Sequence, residues 1–375
     1  MKIKNRAKNW LNKKLAKAGI TLDGKNPWDP KIHNSKLYSR VLTQGSLGLG
    51  EAYMQGWWDC EKVDELICKA MSSNIEEEIK SKSDFLKSWL LPKFINLQSK
   101  KRSFQVGEQH YNVGNKLYKY MLDDTMSYSC GYWKDATTLY EAQIAKLDII
   151  CKKLQLKPNE SVLEIGCGWG SFAVYASKNY NVKVDGVTIS SEQKKYIDEN
   201  FKDLPIDVKL MDYRNIDKKY DKVVSIGMFE HVGEKNYKEY FKTAYKNMED
   251  DGIFVLHTIG NDSPQKGTDP WINKYIFPNG QIPSLSQISK ACEKYFVIED
   301  VHNFGMDYDK TLMAWFENFD NSWDKIKDNY SKEFYRMWSY YLKICAGAFR
   351  SRRLQLFQIV LRKRSKPLKR YQSFR

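Results

Sequence analysis

Val162-Leu-Glu-Ile-Gly-Cys-Gly-Trp-Gly170 is the stretch whose reading decides the fold. A short apolar run, Val162–Gly166, ends in the alternate glycines Gly166, Gly168 and Gly170, and Ser171–Tyr180 then reads as a helix. Glycines at a strand-to-helix turn let the backbone bend tightly and approach a ligand with no Cβ in the way. Such a turn alone is shared with dinucleotide sites. Here the spacing is GxGxG rather than GxGxxG, with Cys167 inside the loop and Glu164 just before it. A carboxylate at that point can bind a cofactor's amine, which suits S-adenosylmethionine better than NAD. The alternative, a purely structural turn, is disfavoured by the pattern around it.

Outward from this turn, strand and helix alternate. Lys183–Ile189 reads as the next strand and Ser191–Phe201 as a helix. Val208–Met211, Lys222–Ile226, Ile253–His257, Phe296–Val301 and Leu356–Val360 continue the series. Such alternation predicts an open, mostly parallel α/β sheet with helices on both faces. Ligands in such sheets sit beyond the carboxyl ends of the strands, near the switch in strand order. At the second strand end, Thr188, Ser190 and Gln193 can hydrogen-bond ribose hydroxyls. After the third, Asp212-Tyr213-Arg214 offers a carboxylate for an adenine amino group and a ring to stack on it.

Residues 1–98 carry turn signals at Asn26-Pro27, Gly45 and Gly48/Gly50 between short apolar segments. They read as a smaller, mainly helical N-terminal domain. A charged helix over 76–87 and a linker at 98–103 lead into a catalytic domain, 99–375, with a helical insertion around 309–352. The seven Cys are scattered without CxxC pairs, which reads as reduced thiols in the cytoplasm, and no Cys/His cluster has metal-ligand spacing. No apolar run reaches the roughly 18 residues of a membrane span. The start, MKIKNRAKNWLNKKLAKAGI, lacks the apolar core and cleavage site of a secretory signal.

The net charge of +15 calls for a polyanionic partner, either nucleic acid or an anionic membrane face. No acidic residue follows Glu333, while Arg350, Arg352, Arg353, Arg362, Lys363, Arg364, Lys366, Lys369, Arg370 and Arg375 accumulate. At the other end Ile3, Ala7, Trp10, Leu11, Leu15 and Ala18 recur at helical spacing among lysines. That stripe either lies in a membrane interface or packs onto its own domain.

Longer motifs carry a resemblance. HYNVGNKLY from His110, MSYSCGYW from Met126, VLEIGCGWG from Val162 and GVTISSEQ from Gly186 resemble those of the cyclopropane-fatty-acyl-phospholipid synthases of the bacterial two-domain type. SIGMFEHVG from Ser225, LHTIG from Leu256, DPWINKYIFPNG from Asp269, HNFGMDYDKTLMAW from His302 and CAGAFR from Cys345 extend the match. The implied fold is a Rossmann-like S-adenosylmethionine-dependent methyltransferase sheet. The implied reaction is attack of an acyl-chain alkene on the sulfonium methyl, then loss of a proton from the new methyl so that a cyclopropane ring closes. In this family bound bicarbonate is the base.

By motif match the resemblance implies Cys130, Glu230, His257 and Tyr308, with the Ile259 backbone N–H, as bicarbonate ligands. Tyr128 and Ser129 match positions that approach the cofactor. Cys345 matches the family's flagged active-site cysteine, although a reaction without a covalent enzyme intermediate leaves packing as its other reading. Read alone, His257 is equally a satisfied core histidine and Cys130 a small buried hydrophobe. His231, His110 and His33 read as structural. Glu230 beside an anion works if a proton is shared between them. Trp133, Tyr275, Phe304 and Trp315 could line a dry, aromatic pocket for a carbocation.

Moving about nine methylenes into water costs on the order of 7 kcal/mol, so the enzyme must work at the bilayer, peripherally on the inner face of the membrane. Anionic lipids then account for the basic charge without nucleic acid, and the family implies a homodimer. Two other classes compete: a methyltransferase acting on a small amine or hydroxyl, and a non-catalytic basic protein that would tolerate loss of the glycine loop and Glu230.

Overall fold

The computed structural model describes residues 2–75, 115–265, 267–364 and 370–375. The charged helix expected at 76–87, the linker at 98–103 with the 98/99 boundary, His110, Lys366 and Lys369 lie outside the described residues. The chain forms two compact units. A helical unit gathers residues 1–96, 266–279 and 308–354, so the segment read as an insertion groups with the N-terminal residues. A sheet unit gathers 97–265, 280–307 and 355–375.

In the helical unit, Lys2–Ala16, Leu37–Met54, Val63–Ser72 and Lys332–Arg350 are the main helices, with a short antiparallel pair of strands, β1 (Lys31–Ile32) and β2 (Trp58–Asp59). The first helix buries Leu11 and Leu15, and Ile20 follows them into the core, while Lys13 and Lys17 stay exposed. At Leu11 and Leu15 its apolar stripe therefore packs onto its own unit. Aromatic side chains fill the interior: Tyr53 stacks on Tyr340 at 5.0 Å, and Tyr340 meets Trp271 edge-on at 4.8 Å. Arg336 ties this cluster to the β2 strand, donating to the Trp58 carbonyl at 3.0 Å and the Asp59 carboxylate at 2.7 Å. Two glycines permit the closest approaches. A Cβ on Gly50 would lie 2.3 Å from the Trp271 indole, and one on Gly347 would lie 2.4 Å from the Asp64 carbonyl oxygen.

The sheet unit contains all seven strands read from the sequence: β3 (Ser161–Ile165), β4 (Lys183–Thr188), β5 (Ile206–Leu210), β6 (Tyr220–Ile226), β7 (Met248–Asn261), β8 (Phe296–Asn303) and β9 (Leu354–Lys363). Their order is β5-β4-β3-β6-β7-β9-β8, with β5 to β7 parallel and β8 antiparallel to β9. Strands such as Ile253–Leu256 are continuously apolar because both faces are covered. One face packs on Phe229, Tyr240, Phe241 and Phe296, and the other on Leu147, Ile150, Phe172 and Tyr371. The helix Leu139–Leu154 opens with a capping box between Thr138 and Glu141 and closes on Gln155 in the left-handed region, φ 52°.

The chain's last residues correct part of the charge reading. Arg362 and Lys363 are buried on β9, and Lys363 reaches Asp250 at 3.3 Å. Arg375 grips the buried Asp300 carboxylate, and Arg350 pairs with Asp64 at 2.7 Å and Asp309 at 2.8 Å. Lys363, Arg375 and Arg350 thus find acidic partners within the fold, and Arg362 lies over the Tyr371 ring at 5.7 Å.

Gly347→Ala should destabilise the helical unit by about 1–3 kcal/mol, since a backbone carbonyl cannot swing away as a side chain does. Chemical unfolding monitored by tryptophan fluorescence measures it; an unchanged midpoint would contradict the packing of Lys332–Arg350 against Val63–Ser72.

Candidate active site

Gly166, Gly168 and Gly170 all lie in the left-handed region, with φ of 83°, 54° and 85°. A Cβ on Gly166 would strike Met228 at 2.7 Å, whereas one on Gly168 would meet nothing within 4 Å. Gly168 is thus required for the turn itself, and space is left beside it. The loop is pinned by Gly166 and Cys167 N–H groups that both donate to the Val187 carbonyl, at 2.9 and 3.2 Å. Alongside, Tyr118 packs between Tyr128 (5.2 Å) and Trp169 (4.7 Å), and the Trp169 indole N–H donates to Asn115 at 3.2 Å.

Glu164 pairs with Gly186 of β4 on one side and Val224 of β6 on the other. It is 2% exposed, and its Oε2 is buried without a hydrogen-bond partner. Burial pushes its carboxyl well above the ordinary range, opposed by the nearby Lys146 ammonium. Lys146 is itself fully buried, its pKa drawn down by burial, and donates to Ser129 Oγ at 3.0 Å and Ser127 Oγ at 3.4 Å. Gln143, one turn earlier, donates to the Ser129 carbonyl at 2.8 Å. An orphaned carboxylate oxygen is costly in the interior, and a ligand ammonium is the donor that would satisfy it. The donor set therefore fits the amino end of S-adenosylmethionine.

At the next strand ends the structure gives each polar group a local duty. Thr188 Oγ1 donates to Gln193 Oε1 at 2.8 Å, and Ser190 caps the helix Ser191–Asn200 by accepting Gln193 N–H at 3.3 Å. Asp212 accepts Arg214 Nε at 2.7 Å and Nη2 at 2.6 Å. The Tyr213 ring, expected to stand open for stacking, is buried in the core edge-on to Tyr240 at 5.4 Å.

Glu230 lies in the turn Phe229–His231 after β6, and His257 and Ile259 lie on β7. The Ile259 N–H, expected to face an anion, donates to Glu230 Oε1 at 2.7 Å, because a buried carboxylate needs donors of its own. Glu230 Oε2 is buried with no hydrogen-bond partner, and burial pushes the carboxyl up to about 7. His257 is buried, with Phe304 edge-on at 5.9 Å. Cys130 is fully buried, its thiol donating to the Gly131 carbonyl at 3.1 Å. Tyr308 and Cys345 fall in the helical unit, as do Tyr275 and Trp315, while Trp133 and Phe304 fall in the sheet unit. Tyr308 packs on Phe349 at 4.5 Å, and burial holds the Cys345 thiol protonated by pushing it up to about 12.

Lys146, Gln143, Lys153 and Gln358 are polar residues that the sequence reading missed. The signal was present: Ala142, Lys146, Leu147, Ile150 and Leu154 share one helical stripe, with Gln143 and Lys153 beside it, and Gln358 interrupts the apolar run Leu356–Leu361. A long polar side chain on such a stripe is buried unless it snorkels, and burial demands a partner.

Comparison with known proteins gives consistent matches. A family model described as mycolic acid cyclopropane synthetase matches residues 98–359. The cyclopropane-fatty-acyl-phospholipid synthase of Escherichia coli strain K12 is 51% identical over 355 residues, covering 94% of this chain and 93% of that protein. The cyclopropane synthase MmaA2 from Mycobacterium tuberculosis superposes with a TM-score of 0.65 at 30% identity, over 69% of this chain and 97% of that one. The mycolic acid cyclopropane synthase CmaA1, complexed with SAH and CTAB, gives 0.65 at 30% identity, over 70% and 98%.

Glu230 carries a stability cost with a definite sign. Its folded pKa lies above its unfolded value, so stability is fully present below about pH 4.5 and is lost as pH rises through about 7. Glu230→Gln keeps an acceptor for Ile259 and removes the ionisation. It should match the parent at pH 4.5 and exceed it by up to about 3 kcal/mol at pH 8. Denaturant titrations at the two pH values measure this; an equal offset at both would refute it.

Proposed function

The chain belongs to the mycolic acid cyclopropane synthetase family, and on that premise we propose that it uses S-adenosylmethionine to add a methylene across the cis double bond of unsaturated phospholipid acyl chains. The observation that carries this reading is a pair of buried carboxyls, Glu164 on β3 and Glu230 just past β6, each with one oxygen lacking a hydrogen-bond partner. Because β3 and β6 are neighbours, Glu164 near the end of one and Glu230 just past the end of the other belong to adjacent strand ends. One suits a cofactor ammonium and the other a small protonated oxyanion. The 51% identity with the Escherichia coli synthase supports the lipid substrate.

When bound, S-adenosylmethionine supplies an electrophilic methyl group. Glu164 would hold its amino end, and Lys146 and Gln143 fix the Ser127–Ser129 segment beside it. Bicarbonate would be held by Glu230 and His257 of the sheet unit, with Cys130 contributing as the family pattern implies, while the Ile259 N–H holds Glu230 itself. A carboxyl that titrates near 7 can keep a proton on Oε2 and donate it to an anion, which removes the clash of like charges. Phe304, packed against both His257 and Tyr132, excludes water from the histidine.

Incubation with S-adenosylmethionine and vesicles of monounsaturated phospholipid should yield acyl chains heavier by one CH₂, with loss of vinyl protons and gain of upfield ring protons. Removing bicarbonate should suppress the product and restoring it should recover the rate. Transfer to the headgroup would instead indicate a conventional methyltransferase, and turnover indifferent to bicarbonate would remove the oxyanion from the scheme.

We further assign the exposed Lys13 and Lys17, one helical turn apart, to docking on an anionic bilayer. At about 1 kcal/mol per cation near the surface, replacing both by Gln should weaken vesicle binding roughly 30-fold at low salt. Flotation with anionic and neutral vesicles tests it; equal binding by parent and variant would reject the assignment.

A further inference from the structure

Behind His257 runs a chain of buried hydrogen bonds that the proposed chemistry has not used. Gln358 of β9 is fully buried, and its register partner on β8 is His302. Lys153, from the last turn of Leu139–Leu154, is likewise fully buried. Its Nζ lies 2.7 Å from Gln358 Oε1 and 3.0 Å from His302 Nδ1. On its other side, Gln358 Nε2 lies 3.1 Å from His257 Nδ1.

We propose that Gln358 is a positioning residue that fixes His257 as the neutral imidazole protonated on Nε2, and that Lys153 fixes Gln358. The lysine nitrogen presents N–H groups, so the amide must turn its oxygen toward it; the reverse orientation would set donor against donor. Burial draws Lys153 down to about 7, and both its charged and neutral forms keep an N–H for Oε1. The amide NH₂ is then directed at His257, and an amide nitrogen only donates. Nδ1 must offer its lone pair, which leaves the single ring proton on Nε2. The imidazolium is disfavoured by burial and by the neighbouring ammonium groups of Lys146 and Lys153. Tyr371 steadies the lysine's own turn, its hydroxyl donating to the Lys153 carbonyl at 3.0 Å.

The consequence for reactivity rests on the function proposed above: an Nε2–H donates to an oxyanion, whereas an Nε2 lone pair would repel it. Gln358 thus selects the donor form of a side chain that could otherwise act as an acceptor.

The test uses the full chain labelled with ¹⁵N-histidine, five residues in all. Long-range ¹H–¹⁵N spectra report each ring's tautomer, and His257→Gln assigns the signal. The parent should show His257 as Nε2–H. Gln358→Glu places an acceptor opposite Nδ1 and retains a partner for Lys153. It should convert His257 to Nδ1–H and lower kcat roughly 100-fold, with the KM for S-adenosylmethionine little changed. Should that variant not fold, Lys153→Met frees the amide to turn and should give mixed tautomers. An Nδ1–H parent, or an unchanged Nε2–H ring in both variants, overturns the inference. A converted ring with undiminished turnover upholds the tautomer assignment and overturns the oxyanion role given to His257.

Discussion

Strand β3 is hydrogen-bonded in parallel to β4 on one side and β6 on the other, and the candidate site follows from that double pairing. The chain leaves β3 toward β4 and β5, then returns to β6 on the opposite flank, so the connections diverge at this point. Divergence leaves a crevice beyond the strand ends that neither helix layer fills. Into it the sequence sends a turn with three left-handed glycines and, one strand over, the Phe229–His231 turn. A different strand order would leave the same residues on the chain and scatter them in space.

The sheet unit buries groups that a protein selected for stability alone would avoid. Glu164, Glu230, Lys146 and Lys153 are all buried, and their burial works against their charged forms. Buried charge lowers stability unless its partners are well placed, and at both carboxyls one oxygen is left without a hydrogen-bond partner. The extensive aromatic packing nearby, such as Phe229 on Tyr237 at 4.4 Å, offsets that cost. Local rules are obeyed throughout the sheet and broken where ligands are expected, the usual distribution of strain at a functional site.

Much of the sheet was legible in the sequence because a parallel strand buried on both faces leaves a continuous apolar run, and glycines punctuate its end. Leu356–Val360 was readable from its apolar run and Phe296–Val301 from its β-branched residues at an edge, yet nothing local told that β9 lies between β7 and β8. Strand order is a long-range property. The site was partly legible: motifs mark Glu164, Glu230 and His257. Tyr213 was misjudged because a tyrosine beside a polar aspartate looks exposed, whereas its ring turns inward onto Tyr240. The basic residues near the chain's end were misjudged similarly, since charge counting cannot see that Arg375 finds Asp300 across 75 residues. Lys153 and Gln358 escaped notice because their partnership spans 205 residues.

The position of β9 also bears on how the molecule is made. β8 leaves the ribosome before β9, yet the two strands flanking β9 in the finished sheet are β7 and β8. Until β9 inserts, β7 presents an open edge and β8 lacks its partner, so two of the seven strands wait for the helices at 306–350 to be synthesised. Pairing over such a separation is slow, and an exposed apolar edge is a template for association with other chains. The strand that closes this gap also delivers Gln358. In chain order the glycine turn after β3 is therefore synthesised early and Gln358, the neighbour of His257 Nδ1, near the end.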